Sequence, residues 1–151
     1  MGKCFGSMFA LTGLLLFIFL MGCTAGSGSS PGPSSPLVGR WRQTSIATAN
    51  QSADCPATLG LPGGSTTSCS GKDLIEFSSN GTFTATFSTS PVKGSGTWRL
   101  NGNNLLLAFT APPNVAGKAQ STTIRFGDGG KTITINAKLG DTPTTETYIR
   151  Q

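Results

Sequence analysis

The sequence predicts an all-β domain: an antiparallel up-and-down meander of about eight strands that closes into a small barrel or near-barrel. Three observations carry this reading. Apolar and polar residues alternate at period two over several short stretches. Clusters of Gly, Asn, Asp and Pro separate those stretches at short intervals. No segment of the same region has an apolar stripe at helical spacing. A meander with one apolar face removes its exposed edges by closing on itself. A two-sheet sandwich is the alternative architecture.

The strands follow in order. Leu37 to Ala49 is the first, and Asp73 to Phe77 is the next clear one, with Ile75 and Phe77 on one face. Asn80-Gly81 is a strong short-range hairpin signal. After it, Phe83, Ala85 and Phe87 alternate with threonines, which suit the wet face of a sheet. Gly96 to Leu100 sets Trp98 and Leu100 on one side, and Asn101 to Asn104 turns the chain into Leu105 to Thr110. Pro112 and Pro113 end that strand. Thr122 to Phe126 aligns Ile124 with Phe126, and Gly127 to Gly130 turns it. Lys131 to Lys138 alternates Ile133, Ile135 and Ala137, and Gly140 to Pro143 leads into the last strand, Thr144 to Arg150.

The N-terminus sets the compartment. Lys3 gives a short positive region, and Phe9 to Met21 is apolar apart from Thr12 and Gly13. Such a run is the core of an export signal and is short for a spanning helix. It ends in Leu20-Met21-Gly22-Cys23, which resembles the lipobox of bacterial lipoproteins. The resemblance implies that residues 1–22 are a signal peptide and that Cys23 carries diacylglycerol and an acylated amino group. Several acyl chains anchor a protein to a membrane without crossing it. Residues 23–36 then form the lipidated cysteine and a Gly/Ser/Pro tether with an end-to-end distance of roughly 20 Å. Thr24 stands where an Asp signals inner-membrane retention in Gram-negative lipoproteins. The resemblance therefore implies the outer membrane, if the source is Gram-negative.

Residues 37–151 make one domain. The chain holds 11 Lys and Arg against 6 Asp and Glu, and the signal removes only Lys3. The remaining basic residues are scattered, whereas a nucleic-acid site clusters them with exposed aromatics; no nucleic-acid partner is expected. Cys55 and Cys69 remain in the mature domain, and an even pair in an oxidising compartment reads as a disulfide. It closes a turn-rich loop with little else to order it, a mobile feature of one barrel end, and contributes about 3 kcal/mol in the chain-entropy model. Two thiols in a chain without histidine do not make a zinc site, and no metal or cofactor is expected.

Leu37-Val38-Gly39-Arg40-Trp41 resembles the Gly-x-Trp opening of lipocalins and bacterial lipocalin-like lipoproteins. Ile75 to Phe83, Gly96-Thr97-Trp98 and Tyr148-Ile149-Arg150 fit the same pattern in the same order. The resemblance implies a small lipocalin-like barrel. In that family the opening Trp packs at the closed end, and an Arg from the end of the barrel covers it. Trp41 and Arg150 are the corresponding pair here, a cation–π contact of about 0.5–2 kcal/mol. The chain is shorter than a full lipocalin and has no recognisable C-terminal helix.

Phe77, Phe83, Phe87, Trp98, Phe109, Phe126 and Tyr148 are the inward aromatic set. They either line a pocket for a small apolar ligand or fill the barrel, since eight strands leave an interior just wide enough for side chains. No catalytic arrangement emerges. Without histidine there is no imidazole base or Ser-His-Asp triad. Asp73 and Glu76 point to opposite faces of a strand, which excludes a carboxylate pair. Gly130-Lys131-Thr132 echoes the end of a P-loop, but Arg125 occupies the first glycine position and no helix follows. The expectation is a non-enzymatic, membrane-anchored envelope protein. It binds a small apolar ligand or, with a filled core, acts as an interaction, inhibitor or structural module for an envelope protein.

Overall fold

The computed structural model describes residues 35–88, 93–139 and 141–151. Cys23 and most of the tether lie outside them. Among the described residues eleven strands form: β1 (Gly39–Ala47), β2 (Ser52–Asp54), β3 (Ala57–Gly60), β4 (Thr66–Cys69), β5 (Leu74–Phe77), β6 (Thr82–Thr86), β7 (Lys93–Asn101), β8 (Asn104–Ala111), β9 (Ala119–Gly127), β10 (Thr132–Leu139) and β11 (Thr142–Arg150). Short 3-10 turns occupy Pro62–Gly64 and Asp128–Gly130.

Eight of these strands close into an antiparallel barrel in the order β1-β5-β6-β7-β8-β9-β10-β11, and β11 returns to β1. Trp41 pairs with Arg150 and Gln43 with Tyr148 along that seam. A bulge at Thr44 shifts the register, and Ser45 and Ile46 then pair with Thr147 and Glu146. The extra residue restarts the alternation, so Trp41, Gln43 and Ile46 are buried although their spacing is uneven.

The turns obey the sequence. Gly81 has φ +82° and closes the β5–β6 hairpin by donating to Ser78 O at 3.0 Å. Asn80 Oδ1 fixes that turn by accepting from Thr82 N at 3.0 Å. Gly96 has a different reason to be glycine: a Cβ there would run into the Ala108 carbonyl and the Phe83 ring, which lies across from it in register.

The Cys55–Cys69 disulfide is present, with Cα atoms 5.4 Å apart. The segment it closes is more ordered than its composition suggested. β3 and β4 pair as a hairpin, Ala57 opposite Cys69 and Leu59 opposite Thr67. Leu59, Cys69 and Ile46 form a second small core, with Ala53, Cys55 and Ala57 against it. One buried leucine and the bridge itself supply the order that a bare turn-rich loop lacks.

Candidate functional site

Alternate connections of an up-and-down barrel lie at opposite ends. One end collects the start of β1, the end of β11 and the β5–β6, β7–β8 and β9–β10 turns. The other collects the Thr48–Asp73 excursion and the β6–β7, β8–β9 and β10–β11 connections. The first is closed and the second is open.

The closed end is filled. Leu37, Trp41, Phe77, Phe83, Trp98, Leu105, Ile124, Ile133 and Tyr148 are buried in one cluster, with Phe109 and Phe126 packed partly buried against it. Phe77 meets Trp98 edge-on at 5.5 Å, and Phe83 meets Phe109 edge-on at 5.4 Å. Both indoles are hydrogen-bonded, Trp41 Nε1 to Leu37 O at 2.8 Å and Trp98 Nε1 to Ser78 O at 3.1 Å. Arg150 seals this end. Its guanidinium carbon lies 4.3 Å from the Trp41 ring centroid. Nη1 donates to Val38 O at 2.7 Å, Nε to Gly130 O at 3.2 Å, and Nη2 to Pro36 O. Gly39, at φ +139°, lies beneath it, and a Cβ there would stand 2.6 Å from Nη1. The spacing of Gly39 and Trp41 thus leaves room for the guanidinium and supplies the ring it covers.

Of the inward aromatic set, the structure gathers all but one into or against this floor. Phe87 lies past the end of β6, beside Gly94 at the open rim, and is 41% exposed. The aromatics pack on one another, and none of them lines the open-end pocket described next.

Toward the open end the inner face becomes polar. Gln43, Asp73, Thr122 and Thr144 are buried, and Glu146 alternates with Thr144 and Tyr148 on β11. Asp73 Oδ1 accepts from Ser88 N at 2.7 Å, Ser88 Oγ at 2.8 Å and Ser70 Oγ at 3.1 Å, tying the exit of the disulfide hairpin to the exit of β6. Glu76, in contrast, is exposed beside Arg40 at 3.9 Å. Tyr148 Oη donates to Glu146 Oε2 at 2.5 Å. Burial raises the Glu146 pKa above the usual carboxylate range; the Tyr148 hydrogen bond opposes this, and the charge of Asp73 adds to it. Burial, then the neighbouring Glu146 charge, pushes the Tyr148 phenol well above its usual value.

A pocket of ≈ 540 Å³ opens at this end between β9 and β10. Thr48, Gln120, Thr122, Asn136, Lys138 and Thr144 contribute to its mostly hydroxyl- and amide-bearing wall. Thr144 is 2% exposed, and its Oγ1 has no hydrogen-bond partner among the described residues. A buried hydroxyl left unpaired costs about 1–3 kcal/mol, so this part of the wall is not optimised for stability. Glu146 and Thr144 were readable from the sequence, because residues two and four before Tyr148 share its face. The pocket was not, since it depends on where a ladder stops.

A family model described as a lipocalin-like domain matches residues 37–138, well over half of the chain, and the chain belongs to that family. The family is typically one of non-enzymatic binding domains. No curated protein matches the chain.

Proposed function

We propose that this chain is a lipid-anchored bacterial envelope protein whose barrel is a non-enzymatic binding domain, with its binding site at the open end. The observation that carries this reading is the ≈ 540 Å³ pocket at the open end, whose wall includes Thr144, a residue with a buried hydroxyl that has no partner among the described residues. Pockets of that size suit a small ligand or a short segment of a larger one. The aromatic side chains that would have lined an apolar cavity pack against one another instead. The open-end wall of Thr, Gln and Asn side chains suits a ligand that offers hydrogen bonds as well as apolar contact, where the inward aromatic set suggests a small apolar one.

The anchor reading rests on Leu20-Met21-Gly22-Cys23. Arg150 grips Pro36 and Val38 at the closed end, so the tether leaves the barrel there. A lipid on Cys23 would then put the membrane on the closed side and turn the mouth away from it. Ligand would exchange with the compartment rather than with the bilayer. Mass spectrometry of molecules released from the purified full chain, with amide shifts at Thr144 on adding them back, tests the binding site. A ligand that shifts only residues remote from the open end contradicts it. Labelling with a palmitate analogue tests the anchor: Cys23→Ser should lose the label, and equal labelling contradicts lipidation.

The filled closed end favours a second reading, an interaction module that holds part of an envelope protein. The two readings share the open end and differ in the size of what enters it.

A further inference from the structure

Charge is sorted between the outside and the inside of this barrel. Every described Lys and Arg is exposed except Arg42, which is half-buried and donates Nη1 to Gly71 O at 3.3 Å. Asp54, Glu76, Asp128 and Asp141 are exposed as well. The two remaining acids point inward. Asp73 is buried in step with Ile75 and Phe77, and Glu146 is half-buried in step with Thr144 and Tyr148. Asp73 has structural partners in Ser70 and Ser88. Glu146 has the neutral Tyr148 hydroxyl, and no Lys or Arg among the described residues lies within 4.0 Å of it. Its cross-strand neighbours, Ile46 on β1 and Ile135 on β10, bring no charge. Burial, and after it the like charge of Asp73, raise its pKa against the Tyr148 hydrogen bond. Interior carboxylates are ordinarily paired with a cation. A chain with 11 Lys and Arg against 6 Asp and Glu places none of its described cations here.

We propose that Glu146 is the counter-ion for an ammonium group of the ligand, so that the open end takes a small amine. The inference rests on the open-end reading and names the chemical class of its ligand. A second observation points the same way. Thr144, one inward step from Glu146 toward the mouth, lines the ≈ 540 Å³ pocket, and its buried Oγ1 has no partner among the described residues. That step is roughly 6.6 Å along a strand, within reach of a short aliphatic amine lying in the pocket. An ammonium group carries three donors, one for a carboxylate oxygen and the others for hydroxyls such as Thr144 Oγ1. Its bond to an ionised carboxylate is the stronger, charge-assisted kind. A cation beside Glu146 favours the ionised form, so by linkage the ligand lowers the pKa that burial raises. An anionic group meets two inward acids at this depth and is disfavoured.

The test uses the full chain with its glutamates labelled at the carboxyl carbon, followed by NMR. Glu76 and Glu146 are the only two in the sequence, so exposed Glu76 is an internal control. The probe is n-butylammonium chloride at tens of millimolar, against n-butanol and against sodium chloride of equal ionic strength. n-Butylammonium should shift the Glu146 carboxyl resonance and lower its titration midpoint, and neither control should. Its affinity should be about tenfold higher above the Glu146 titration than below it, since an opposite charge at this distance moves a carboxyl by about that much. Glu146→Gln should bind n-butylammonium about tenfold more weakly and n-butanol as before. A Glu146 midpoint that is the same in n-butylammonium and in sodium chloride overturns the proposal, and this measurement needs no variant. Equal movement of the Glu76 and Glu146 resonances, or equal n-butylammonium affinity in Glu146→Gln, overturns it too. If n-butanol or the molecules released from the chain still shift the Thr144 amide in that case, the open-end reading stands without this inference. If nothing shifts Thr144, both fall.

Discussion

The two ends of this barrel use the same strands differently. At the closed end every large inward side chain has apolar neighbours, each indole N–H has a carbonyl, and Arg150 joins the start of β1 to the β9–β10 turn. At the open end, one or two steps along the same strands, Gln43, Thr122, Thr144 and Glu146 join Ile46 among the inward residues, and the β9–β10 register stops at Ile124 and Ile135. Stability is thus concentrated in the floor, and hydrogen-bonding capacity is left at the mouth. Binding sites are drawn from the less stable parts of a fold because they must accept a partner.

Substitutions at the two ends should separate these roles. The largest loss should come from the floor: Trp98→Ala or Phe83→Ala should cost about 3–5 kcal/mol in chemical denaturation, as for other large buried aromatics. A loss below about 1 kcal/mol would mean that the closed end is not the solid part. Cys55→Ser with Cys69→Ser should come next, by up to about 3 kcal/mol. Its effect should be local, with faster exchange in β3 and β4 while β7 and β8 stay protected. Uniform loosening of all strands would place the hairpin inside the main cooperative unit.

Arg150→Ala should follow at about 2 kcal/mol, since it removes the Trp41 contact and several carbonyl partners on a partly exposed side chain. Arg150→Lys should recover little, because an ammonium cannot reach Pro36, Val38 and Gly130 together. A double-mutant cycle with Trp41→Leu isolates the ring contact, and zero coupling energy would reduce Arg150 to its hydrogen bonds.

Glu146→Gln should act in the opposite sense at neutral pH. The native Glu146 pKa lies above its ordinary value of 4.5. Its stabilising contribution is complete below that value and is lost as pH rises through the raised one. Wild type and variant should therefore converge near pH 4, with Gln the more stable above the titration. A pH series of melting temperatures checks this, and a variant less stable at every pH would assign Glu146 a structural role.

Most of the floor was legible in the sequence. Period-two alternation puts Phe77, Phe83, Trp98, Ile124 and Ile133 on inward faces, and the lipocalin resemblance links Trp41 to Arg150. What escaped was set by pairing rather than by composition. β2, β3 and β4 are three or four residues long and rich in Ser, Thr and Gly, too short for an alternation to register. Strict alternation from Trp41 puts Ile46 on the outside, and the bulge at Thr44 turns it inside. Phe87 has inward parity, yet its strand ends at Thr86 and leaves it at the rim. Nothing local in Ser121 and Thr122 or in Ala137 and Lys138 announces that the β9–β10 register stops at Ile124 and Ile135.

The measurement that bears most directly on this division is Thr144→Val, assayed for melting temperature and for ligand response on one preparation. Valine keeps the shape and removes the unpaired hydroxyl. If the mouth keeps hydrogen-bonding capacity in reserve for a ligand, the free variant should gain about 1 kcal/mol, roughly 4 °C in melting temperature. It should also respond less than wild type to the molecules released from the purified full chain, read as the rise in melting temperature on adding them back. A lower melting temperature with an unchanged ligand response would contradict the account, because Thr144 would then serve the floor and not the mouth.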